Sequence, residues 1–90
     1  MKVLVIVKND QYELIKNQIE EIKDQKFEVY KFKPKSQKKE TAILELEELC
    51  KKEDFNIALI SYYLFWGKLT GENFIETLKK YKIPTILSNI

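Results

Sequence analysis

Near the start of the chain stands an uninterrupted apolar run, Val3-Leu4-Val5-Ile6-Val7, bounded by Lys2 and Lys8. A strand with one face in water alternates apolar and polar residues. A run with no alternation needs both faces covered, as in a central strand of a parallel sheet. That requirement constrains everything after it: the chain must supply helices for both faces and more strands for both edges. Segment 56–62 again reads as a continuous apolar strand, and segment 82–90 reads as a last strand. Segment 27–32 is rich in β-formers but carries interspersed charges, as a strand nearer an edge does. Pro34 stops it, and Pro84 stands near the start of the last strand, where a missing N–H is tolerated.

Helical spacing fills the intervals. Tyr12, Ile15, Ile19 and Ile22 recur on one face, with Glu20, Glu21 and Lys23 outward and Asn9 or Asp10 placed to cap. Ala42, Ile43, Leu46, Leu49 and Cys50 share a side of a second helix, with Glu45, Glu47 and Glu48 largely on the other as a solvated face. Thr70 is positioned to cap a third helix, with Phe74, Ile75, Leu78 and Tyr81 inward. The order β-α-β-α-β-α-β predicts an α/β fold, a three-layer doubly wound sheet, mainly parallel, with strand order 2-1-3-4. Ninety residues make this one domain. Ligands of such sheets sit at the carboxyl ends of the strands, where the order reverses. There Lys8, Asn9, Asp10, Ser61 and Tyr62 are expected around one crevice, with Ser88 near the end of the last strand.

Composition removes several chemistries. All 16 basic residues are Lys, so bidentate guanidinium recognition of phosphate or guanine is not open to this chain. The absence of His removes the commonest general base and zinc ligand. The single cysteine, Cys50, cannot form an internal disulfide or a Cys-x-x-Cys pair. The apolar run at 3–7 is too short for a signal peptide or a membrane span, so a cytoplasmic location is expected. A net charge of +2 points to neither nucleic acid nor membrane.

Residues 56–89 carry an ordered pattern: an apolar strand, Leu64 in the following loop, Gly71, a helix with Phe74 and Leu78, then Ile83-Pro84 before a strand reaching Ser88. This pattern resembles the receiver domain of bacterial response regulators, the flavodoxin-like phosphoacceptor module, and the match runs over the whole chain. The resemblance implies a phosphoacceptor Asp at the end of the third strand, where Ser61 stands. It implies an acidic, magnesium-holding pair after the first strand. Lys8 and Asn9 most nearly stand there, with Asp10 displaced. It also implies further helices and a fifth strand with an essential Lys, for which this chain has no counterpart. Residues 1–90 are therefore expected to form a single truncated receiver-like domain. Aspartyl phosphorylation needs a carboxylate nucleophile and a divalent cation, and one carboxylate beside an ammonium is a poor magnesium site. The other two Asp residues, Asp24 and Asp54, fall at a helix end and before the third strand. The reading is a phosphorylation-incompetent pseudo-receiver that is not an enzyme, with no cofactor and no metal site.

The remaining features divide between solvated surface and interaction. Ser61 lacks a base and a nucleophile elbow, so a hydroxyl satisfied by backbone outweighs a nucleophile. Lys8, Asn9, Asp10, Ser61 and Ser88 form a degenerate pocket whose alternative use is to hold an anion or small ligand. Lys31, Lys33, Lys35, Lys38 and Lys39 could track a phosphate backbone. Without Arg, and with glutamates following, a solvated loop is the better reading. Tyr62, Tyr63, Phe65 and Trp66 crowd one segment, with Phe65 and Trp66 expected in a loop. Such aromatics form either a satellite core or an interaction surface. The last strand would be an exposed apolar edge unless covered. A protein partner or a second copy, as a homodimer, is therefore expected at the aromatic loop and that edge.

Overall fold

A computed structural model describes residues 1–88. The first apolar run forms strand β1 (Lys2–Ile6), followed by helix α1 (Asn9–Glu20), β2 (Glu28–Lys31), α2 (Lys39–Lys52) and β3 (Ile57–Ser61). Next come two short strands, β4 (Tyr63–Trp66) and β5 (Leu69–Thr70). A 3-10 turn (Gly71–Phe74), helix α3 (Ile75–Lys80) and β6 (Thr85–Ser88) complete the description. The expected last strand also included Asn89 and Ile90, which lie outside the described residues.

The main sheet runs β2-β1-β3-β6, and all three pairings are parallel. With β6 as the fourth strand of this sheet, the order is the expected 2-1-3-4. β1 is central, pairing Val3 with Val29 on one side and with Ile57 on the other. Val3 through Val7 are all buried, as the lack of alternation requires.

Each face of the sheet carries its own apolar cluster. On one face Leu4, Ile6, Ala58 and Ile60 pack with Leu46, Leu64, Phe74 and Leu78. On the other, Val3, Val5 and Val7 pack with Tyr12 and Ile19 of α1. Full burial of side chains such as Leu4, Leu46 and Phe74 contributes about 1.5–3 kcal/mol each. Phe32 meets Phe74 edge-on at 5.6 Å, and Tyr30 meets Phe55 at 5.3 Å, which locks β2 onto this core.

The structure corrects the sequence reading in four places. The segment expected as a loop after β3 is an antiparallel β4–β5 hairpin, so the element order contains two more strands than predicted. Its cause is local alternation: Leu64, Trp66 and Leu69 turn inward, and Gly67, at φ +62°, makes the bend. Asn9 and Asp10 do not cap α1. Its N-cap is Lys8, whose carbonyl accepts from Gln11 N–H at 3.0 Å, so both residues fall in the first turn. Ile22 lies beyond the end of α1 and is 50% exposed instead of facing inward. Glu45 and Glu47 are more than a solvated face. The Glu45 carboxylate accepts from Lys35 N–H at 2.9 Å and Ser36 N–H at 3.2 Å, and Glu47 pairs with Lys80 at 3.4 Å.

Candidate functional site

The carboxyl ends of β1, β3 and the edge strand β6 lie side by side at one end of the sheet. β1 leads into Lys8, β3 ends at Ser61, and β6 ends at Ser88, which stands opposite Ser61 in the ladder. Ser61 is buried. Its carbonyl oxygen lies so close to Gly71 that a Cβ there would overlap it and would stand 2.6 Å from Ile60 Cγ2. Only glycine permits that approach. Gly71 N–H donates to the Tyr62 carbonyl at 2.9 Å, and Tyr62 N–H donates to the Ser88 carbonyl at 2.7 Å. Thr70 N–H donates to Asn73 Oδ1 at 2.8 Å, fixing the turn into α3. These bonds hold the base of the hairpin against the sheet.

The five pocket residues expected together are divided between two concavities. Lys8, Asn9 and Asp10 line a crevice of about 310 Å³ whose far wall is Leu64, Phe65 and Trp66. Ser61 and Ser88 line a larger groove, about 460 Å³, on the α1 side of the sheet. Leu59 and Ile86 floor that groove, and Leu14 and Ile15 wall it. Alternation along β3 explains the division: Ile60 points to the α2–α3 face, so Ser61 points to the α1 face.

The aromatic quartet is divided as well. Tyr63 is 51% and Phe65 76% exposed, Tyr62 is half-buried, and Trp66 is only 4% exposed. Trp66 is thus core, not surface, because β4 alternates and places Trp66 with Leu64. Tyr62 and Tyr63 rings meet edge-on at 4.9 Å. Lys8 Nζ stands 5.4 Å from the centroid of the Phe65 ring, in a cation–π contact. Sequence reasoning missed that contact and the hairpin behind it. The one available signal was the Gly67-Lys68 turn between two short apolar-alternating segments.

The donor set at this edge is poor in metal ligands. Among the described residues no group of three or more His, Cys, Asp or Glu could hold a cation. Asp24 lies in the turn after α1, and Asp54 precedes β3 at the opposite end of the sheet. Elsewhere, burial pushes the Cys50 thiol up to about 11. The Glu53 carboxylate, 2.6 Å from Lys2 Nζ, holds that ammonium above its ordinary value.

No protein-family model matches the chain, and no curated protein matches it. A solved structure does: a mutant of the response regulator MaeR bound to sulfate, at TM-score 0.63 and 20% sequence identity. The fold is receiver-like. The superposition covers 96% of this chain and 64% of the MaeR chain. Among the described residues no helix is long and apolar enough to cross a membrane.

Proposed function

We propose that the chain is a receiver-like signalling module that works by binding protein and does not accept a phosphoryl group. One observation carries this reading: Ser61 ends β3, where the resemblance to receivers expects the acceptor Asp, and Lys8 and Asn9 follow β1, where it expects two acids. A serine hydroxyl without a neighbouring base is a weak nucleophile. An ammonium beside the single Asp10 carboxylate opposes the divalent cation that phosphoryl transfer needs. Residues 1–90 act as a single domain, working in the cytoplasm and without a cofactor. The test is incubation with a small phosphoryl donor and magnesium, read by intact mass. No phosphoryl adduct is expected; an acid-stable or hydroxylamine-labile adduct on the folded protein would falsify the reading.

The binding surface is the exposed edge of the hairpin, Tyr63 and Phe65 with half-buried Tyr62. It extends to the β6 edge, where Ile86 is 55% and Leu87 44% exposed. Aromatic anchors and an uncovered strand edge are what protein interfaces use. A second copy of the chain is the partner proposed for the β6 edge. A second reading, that the Lys8–Asn9–Asp10 crevice takes a small anion, is favoured by the cationic Lys8 at the start of α1.

A further inference from the structure

The β4–β5 hairpin holds three unfavourable features at once. Phe65 has φ +57°, in the left-handed region that an aromatic residue rarely adopts. Its ring is also largely exposed to water. The next residue, Trp66, is buried, and its Nε1–H is the one buried side-chain polar atom among the described residues with no hydrogen-bond partner. The ladder that holds the hairpin is short, pairing Tyr63 with Thr70 and Trp66 with Leu69, with a register shift between them.

Two features oppose these costs. Leu64, Trp66 and Leu69 are buried, and Lys8 Nζ lies over the Phe65 ring. The crevice between the hairpin and the start of α1 leaves room for movement. The base is anchored separately, by the Tyr62–Gly71 and Tyr62–Ser88 backbone bonds and by the seat of Gly71 on Ser61.

We infer that the β4–β5 hairpin is a two-state strap over this crevice, latched shut by Lys8 on Phe65. The described structure is the shut state. In the open state Phe65 returns to an ordinary backbone conformation and its ring leaves Lys8. The ammonium then faces the crevice, and the Trp66 N–H reaches water or an acceptor. Asn9 and Asp10 are exposed already, so what the strap controls is whether the Lys8 ammonium is held on the Phe65 ring or is free to meet a ligand in the crevice. This goes beyond the proposed function, because it holds whichever partner binds.

Trp66 is the chain's single tryptophan, so its emission reads the strap alone. Lys8→Ala removes the latch and leaves the backbone N-cap in place. A surface cation–π contact shifts a two-state ratio by about two- to fivefold. Acrylamide quenching of Trp66 should rise accordingly and its emission move to the red, while the circular dichroism stays unchanged. Lys8→Arg keeps a cation for the ring and should restore wild-type quenching. Equal quenching of Lys8→Ala and wild type overturns the inference, as does a Lys8→Arg variant that behaves like Lys8→Ala. Should Lys8→Ala fail to fold, fluorine NMR of wild type carrying fluorotryptophan at Trp66 decides. Two lines, or one broadened by exchange, are expected; a single sharp line at all temperatures overturns the strap.

Discussion

Cys50 shows how burial sets the behaviour of one residue. Its side chain belongs to the core beside Phe55 and Leu46, and the loss of water there lifts its thiol to about 11 from an ordinary 9.0, with a smaller push from Glu47. The thiolate is the reactive form, so the folded protein should label with a thiol reagent at pH 8 far more slowly than the denatured chain does. The same shift links stability to pH. The unfolded chain releases this proton first, so Cys50 contributes stability in full below pH 9. That contribution is lost as pH rises from 9 towards 11. Denaturant midpoints measured at pH 8 and pH 10.5 should fall for wild type, and fall less for Cys50→Ala. Cys50 was legible in the sequence because it shares helical spacing with Leu46 and Leu49. Trp66 was not: an aromatic beside a turn reads equally well as core or as surface until the strand around it is known.

Among the elements, the loop between β2 and α2 departs furthest from its appearance in the sequence. It carries Lys33, Lys35 and Lys38, with Lys39 opening α2, and reads as solvated. Its backbone is nonetheless held, because the Glu45 carboxylate accepts the Lys35 and Ser36 N–H groups, and Ser36 Oγ accepts Lys38 N–H at 3.1 Å. A carboxylate gathering backbone donors is among the stronger hydrogen-bonding arrangements. Glu45→Ala should speed amide exchange at Lys35 and Ser36 and cost about 1–2 kcal/mol of stability. Unchanged exchange at both amides would show that the clamp is not formed in solution. Nothing in the sequence marks this bond, since its donors are backbone groups ten and nine residues away. By contrast β1, β3 and α2 were legible because an unbroken apolar run or a helical stripe has few other uses. The β4–β5 hairpin was obscured by its brevity: four residues and two residues give too little alternation to separate strand from loop.

At the scale of the molecule the two faces of the sheet are unequally covered. Helices α2 and α3, the 3-10 turn and the hairpin pack on one face, while α1 alone packs on the other. The groove beside α1 exposes Leu14 and Ile86 to water. Sedimentation at micromolar concentration should therefore find a dimer if a second copy covers the β6 edge. Ile86→Glu should then shift it to monomer, with stability changed by only about 0.5 kcal/mol, because the residue is exposed in the single chain. A wild type that stays monomeric removes the homodimer and leaves the partner to another protein. The receiver-like order of strands was legible because right-handed crossovers leave few arrangements of such a pattern. The division of the expected pocket was not, because it depends on which way Ser61 points. Central β1 also bears on synthesis. Its partner β3 lies more than fifty residues downstream, Val3 against Ile57. As the chain leaves the ribosome, one edge of its most apolar strand stays unpaired until residue 60 has emerged. Of the four strands of this sheet β1 is thus the one longest exposed to wrong pairing, and loop closure over that distance should set the pace of folding.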